Sequence, residues 1–172
     1  MKEAFDLITQ RRSIRKFTSQ PVEKEKLLLL LQAAMAAPNA RNSKPWEFVM
    51  VDEQSTCDRL RAAHPYGNHN GTVAIIVCGH PAIAENPQTS EKNWMLDCSA
   101  ATENLLIQAA ALGLGAVWCG VWPAQDRVEA IAAIVGLPNG CHPLNLIWVG
   151  YPAEFKESRT QYDEGRVHWG KY

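Results

Sequence analysis

The 172-residue chain contains no C-x-x-C pair, no H-E-x-x-H, no G-x-S-x-G elbow and no Walker sequence. These absences speak against a zinc site, a metalloprotease, a serine hydrolase and a P-loop enzyme. Charge of one sign is missing too: 17 basic side chains face 18 acidic ones, for a net charge of −1. Such a balance produces no overall field to recruit nucleic acid or an anionic membrane, so any anion recognition must be local. No apolar run approaches eighteen residues, and the opening MKEAFDLITQRRS carries acidic residues instead of the apolar core of a secretory leader. The expectation is a soluble cytoplasmic protein. The five cysteines, spaced about twenty apart and odd in number, argue against a disulfide framework and read as reduced, mostly buried small hydrophobes. No sequence repeat and no low-complexity linker divides the chain, and at this length folding buries roughly 70% of the surface that the unfolded chain exposes. A single α+β domain over residues 1–172 follows.

Apolar spacing places helices over residues 2–11, 21–37, 55–63, 93–112 and 124–135, with Pro38 stopping the second and Gly113 capping the fourth. Four short runs rich in β-branched and aromatic residues, at 46–51, 72–79, 115–122 and 143–151, read as core strands. Two stretches do not suit a self-sufficient monomer. The helix over 93–112 is apolar or small on every side, which fits either a central core helix or a helix packed on its symmetry mate. The stretch 153–172 is polar yet carries Phe155, Tyr162, Trp169 and Tyr172. Disordered segments are poor in aromatics, so this one is expected to dock on its own chain or on a partner.

Three segments carry candidate chemistry. Arg11, Arg12, Arg15 and Lys16 place four positive charges in six residues around Ser13. They are either solvated cations complementing a helix C-terminus or a phosphate cradle, because a guanidinium grips phosphate oxygens in bidentate fashion. The stretch 38–46 reads as a helix-to-strand turn, but its Asn39, Asn42, Ser43, Arg41 and Lys44 also suit the edge of a planar heterocycle. In 113–123 the order is helix, glycines, strand, and the third glycine of the fingerprint is missing, which rejects a dinucleotide fold. Gly120, inside an apolar strand, marks a bulge or a place where a flat ligand meets the backbone. The histidines form no ligand motif, and His64 and His69 flank a Pro-Tyr-Gly-Asn turn expected to lie in solvent.

Taken together, RRSIRKF, APNARNSKPW, DCSAATENLLIQAAALGLGAVWCG and GYPAEFKESRTQYDEGRVHW resemble, in order and spacing, the short members of the nitroreductase family of FMN enzymes. The resemblance spans essentially the whole chain. It implies an α+β fold with a mostly antiparallel sheet in an intertwined homodimer, whose interface is built on the long central helix and whose 153–172 tails cross onto the partner. By the same resemblance Arg11 and Ser13 hold the FMN phosphate with Arg12 nearby, and Arg159 adds a contact from the tail. Arg15 then sits at the N1 and C2-carbonyl side of the ring, and Trp118, Gly120 and Val121 lie along the isoalloxazine, with the Gly120 amide as a donor to N5. Pro38, Asn39, Ala40 and Asn42 reach the flavin bound by the other subunit. The chain departs from the family pattern at Asn39, often Ser, at Lys44, often Gln, and at Gln161, where a second cation is common.

The implied activity is hydride transfer from NADH or NADPH to FMN, followed by ping-pong reduction of a small electron-poor acceptor such as a nitroaromatic, quinone or activated alkene. The flavin carries the chemistry, so no side chain is assigned a catalytic role. A non-catalytic FMN storage or sensor protein, and another flavin reaction on the same fold such as fragmentation or dehalogenation, are the rival readings. No metal, nucleic-acid or membrane partner is implied.

Overall fold

The computed structural model describes residues 4–172. Residues 2 and 3, which the sequence reading assigns to the first helix, lie outside the described residues. Strands β1 (Trp46–Val51), β2 (Val73–Gly79), β3 (Gly115–Gly120) and β4 (His142–Gly150) form one sheet in the order β1-β2-β4-β3, and every neighbouring pair is antiparallel. Helices α1 (Ala4–Gln10), α2 (Lys24–Met35), α3 (Gln54–Ala63), α4 (Pro87–Ala111) and α5 (Gln125–Val135) surround it. On one face Leu30 of α2 and Leu105 of α4 pack with Ile75 and Ile147. On the other, Leu60 of α3 and Ile131 of α5 pack with Ile76 and Leu146. Both faces of the central strands are therefore covered, and every residue of β2 is buried. This is why the strands read as continuous apolar runs without alternation.

Several boundaries differ from expectation, three of them with a clear local cause. α2 begins at Lys24 instead of Pro21, because Glu23 is extended and its carbonyl receives the first helical N–H groups, from Lys26 and Leu27. α4 starts at Pro87, six residues before its apolar pattern. Its polar first turns hide it, although a proline at the first helical position is itself a start signal. It ends as expected, with Gly113 at φ 74° and the Leu114 amide bonded to the Ala109 carbonyl at 2.8 Å. β3 stops at Gly120 instead of residue 122, since the amides of Val121 and Trp122 both turn to the Leu144 carbonyl.

α4 is not buried on all sides. Trp94, Cys98, Leu105 and Ala109 face the core, while Met95 and Leu96 are 38% and 69% exposed. The exposed flank belongs to the first half of the helix, whereas positions 97–110 are all buried or half-buried within the chain. The tail likewise does not bury its rings on its own body: Phe155, Tyr162, Trp169 and Tyr172 all stand in solvent. All five cysteines are free and buried. No described helix is long and apolar enough to cross a membrane.

Residues 13–17 run along the outer edge of the sheet. Ser13 bridges Ala116 in parallel and Phe17 bridges Pro152 in antiparallel fashion. The close approach depends on glycine, because a Cβ at Gly115 would lie 2.7 Å from the Ile14 side chain.

Candidate functional site

The cationic segment leaves α1 and enters a groove between α4, β3 and the start of the tail. Arg11 ion-pairs with Glu103 of α4 at 2.9 Å, and Arg12 donates to the Glu157 carbonyl. Lys156 donates to the Ser13 carbonyl at 2.6 Å, and Glu154 accepts the Arg15 amide at 2.6 Å. That amide bond, followed by Lys156, holds the Glu154 carboxyl below its ordinary range. A cavity of about 490 Å³ opens here, walled by Arg11, Arg12, Ile14, Leu106, Ala110 and Phe155. Arg11, Arg12 and Ser13 are thus half-buried and gathered against the tail, where the Arg159 amide bonds to the Thr9 carbonyl at 3.0 Å. Cations fanned into water at a helix end would not show this arrangement.

Arg15 is exposed, yet its positive charge is felt beneath the β3 edge. It adds to the effect of burial in lowering the His69 pKa. At Cys119, which burial pushes up to about 11, it acts in the opposite direction. Beside it, Trp118 and Gly120 are the two exposed positions of β3. Gly120 has no positive φ to require glycine, and a Cβ placed there would meet nothing within 4 Å. Open space over a strand end suits a flat ligand that lies close to backbone. Val121 is turned away from this edge: its side chain is wholly buried, its N–H is bonded to the Leu144 carbonyl and its carbonyl accepts from Ala124. Val121 thus anchors the strand exit, with its backbone polar groups engaged within the chain.

The turn after α2 lies elsewhere in the chain, against the N-terminal half of α4. Ala40 donates its amide to Asp97 Oδ1 at 3.0 Å, and Asn39 Oδ1 accepts the Lys44 amide at 2.9 Å. The Asn39 amide is therefore largely spent on its own turn, whereas Pro38 and Asn42 stand exposed. Burial raises the Asp97 pKa, and the Ala40 hydrogen bond opposes that rise.

Sequence reasoning missed two supports of this architecture. Asp97 is visible only as a polar break in an apolar helix. His64 was expected in solvent but is 1% exposed, with Nε2 2.9 Å from the Gly120 carbonyl. Its partner lies fifty-six residues away in sequence, so no local pattern signals it.

A family model described as Nitroreductase family matches residues 8–64 and 69–151. The chain belongs to the nitroreductase family. It is 38% identical over 172 residues to a Methanothermobacter thermautotrophicus protein provisionally named an NADH dehydrogenase/NAD(P)H nitroreductase, covering 99% of this chain and 88% of that one. A crystal structure from Bacteroides thetaiotaomicron with the same provisional name superposes at a TM-score of 0.90, with 39% identity and full coverage of both chains. An FMN-dependent nitroreductase from Clostridium difficile superposes at 0.86, with 28% identity over 98% of this chain and 99% of that one.

Proposed function

We propose that this chain is an FMN-dependent NAD(P)H oxidoreductase working as a homodimer, with each flavin bound along the β3 edge of one subunit and covered by the 38–42 turn of the other. The observation that carries the reading is the Gly120 edge, where an exposed residue has no side chain, a Cβ would meet nothing of the chain within 4 Å and the Arg15 charge acts on the neighbouring Cys119. Family membership and the FMN dependence of a protein of like fold support it.

In this reading Arg11, Arg12, Ser13 and Arg159 hold the phosphate; Arg11 and Arg12 wall the cavity, and their guanidinium forks suit phosphate oxygens. Trp118 flanks the ring, and the Gly120 N–H donates to N5. Pro38, Asn39, Ala40 and Asn42 from the second copy close the slot. FMN, when bound, supplies hydride acceptance from NADH or NADPH and delivery to a nitroaromatic, quinone or activated alkene. The residues' part is to place the ring, exclude water and stabilise charge. Arg15 does the last, because reduction places negative charge at N1 and the C2 carbonyl and a fixed guanidinium there favours the reduced form. A hydrogen bond to a charged group contributes about 1.5–3 kcal/mol, so Arg15→Gln is expected to lower the midpoint potential by roughly 30–65 mV.

One slot must admit the nicotinamide and then the acceptor, so parallel double-reciprocal lines are expected. The test of the whole reading is to mix the FMN-loaded protein with NADH or NADPH under argon. Rapid bleaching, reversed by an acceptor, supports the reductase. A colour that persists with both donors overturns it in favour of a flavin-binding protein without turnover.

A further inference from the structure

The Gly120 carbonyl takes two donors from different helical elements. His64 Nε2, at the C-terminal end of α3, lies 2.9 Å away, and Arg127 Nη1, in the first turn of α5, donates at 2.6 Å. A carbonyl only accepts, so His64 carries its proton on Nε2. The ring is clamped: a Cβ at Gly67 would lie 2.8 Å from it. Gly67 is fixed in turn by the Trp148 indole, which donates to its carbonyl at 2.6 Å beneath the Arg61 guanidinium.

The antiparallel ladder decides where the rest of Gly120 points. Outward and inward backbone groups alternate along a strand. Ile14 bonds the Ala116 carbonyl from the outer edge, so residues 116, 118 and 120 direct their backbone groups away from β4, while Val121 directs its amide to Leu144. Both polar groups of Gly120 therefore face the free edge. With its carbonyl doubly occupied, Gly120 presents its N–H alone at that edge.

We propose that His64 and Arg127 are positioning residues that lock the Gly120 carbonyl so that Gly120 offers flavin N5 a donor and no acceptor. The inference rests on the reading that the ring lies against β3. N5 is an acceptor in the oxidised ring and bears a hydrogen in the reduced one, so a fixed donor favours the oxidised form. The lock pulls the potential in the direction opposite to Arg15 and keeps the reduced flavin a strong reductant.

The experiment compares FMN-loaded His64→Leu, Arg127→Met and His64→Gln with the parent, measuring FMN affinity by fluorescence and the midpoint potential by anaerobic titration. His64→Leu and Arg127→Met are expected to bind oxidised FMN about tenfold more weakly with reduced FMN held as before, which raises the potential by about 30 mV. His64→Gln keeps an N–H and is expected to return towards the parent. A merely structural role weakens both oxidation states alike, so an unmoved potential overturns the lock. Should His64→Leu fail to fold, half-exposed Arg127→Met carries the test alone. The underlying reading is checked separately in ¹⁵N-labelled parent, where the Gly120 amide resonance must shift on FMN addition. If it stays still, ring placement and lock fall together; if it shifts while the variants keep the parent potential, the lock alone is overturned.

Discussion

The turn at 38–44 and the tail at 153–172 are both assigned to the flavin site, yet they are held in opposite ways. The turn is fastened by its own chain. Asp97 holds Ala40, Asn86 holds the Arg41 carbonyl at 3.1 Å, and Lys44 pairs with Glu85 at 2.6 Å. These ties sustain Arg41, Asn42 and Lys44 at φ values of 53°, 54° and 48°, a left-handed region that costs non-glycine residues roughly 1–3 kcal/mol each. Among the described residues, the hydrogen bonds that tie the tail to the body end at the Arg159 amide. Beyond it the side-chain hydrogen bonds are local, such as those around Asp163, and Trp169 is 92% exposed. The difference teaches that the turn is preformed within the chain, whereas the tail carries rings that the described residues of its own chain leave exposed. The uncovered Met95 and Leu96 of α4 point the same way.

The strongest way to break this comparison is to remove the tail's rings. If Trp169 and Tyr172 are interface anchors that together contribute about 2 kcal/mol per chain, the double change to alanine costs the dimer about 4 kcal/mol and raises its dissociation constant roughly a thousandfold. Sedimentation and bound-flavin measurements should then fall together, and a variant that keeps both parent values contradicts the tail's role. The turn is expected to respond less and without dissociation. Asp97→Ala strands the Ala40 amide, at a cost of about 1–3 kcal/mol read by urea unfolding; an unchanged midpoint would remove Asp97 as the turn's fastener.

Asp97→Asn sharpens the point through pH. Asp97 titrates above its ordinary 3.8 in the fold, so its contribution to stability is full below that value and is lost as pH rises through the raised one. The neutral asparagine is expected to match the parent in acid and to exceed it at neutral pH. The smallest effect belongs to a control outside both regions, the Glu53 cap of α3. The hydroxyls of Ser55 and Thr56, followed by their amides, lower its pKa to about 2. Its contribution is present above the unfolded value and disappears as pH falls towards 2. Glu53→Ala should therefore melt earlier than the parent at pH 7 but alongside it near pH 2, with dimer and turn unaffected.

Much of this architecture is legible in the residues. Covered strands announce themselves as apolar runs, and Gly113 marks the end of α4 because a left-handed cap needs glycine. The cationic segment and the Gly120 edge are also visible, each as a local excess or an unexplained glycine. What escapes is long-range or relative. The polar start of α4 has no periodicity to display, and the burial of His64 is set by a carbonyl on a distant strand. Val121 looks like its strand neighbours until the ladder shows which way its groups turn. The apolar circumference of α4 reveals that it needs covering without saying how much of the cover comes from its own chain.

The central claim is that each site joins the β3 edge of one subunit to the 38–42 turn of another. Differently tagged chains, one carrying Arg11→Ala with Arg12→Ala and the other Asn39→Ala with Asn42→Ala, test it directly when co-expressed and isolated as a heterodimer. Shared sites concentrate both defects in one position and leave the other intact, so the heterodimer is predicted to bind about one FMN per dimer at parent affinity while each variant homodimer binds weakly. A heterodimer whose two sites are both as weak as those of the homodimers would contradict the account, because it would place each flavin within a single chain.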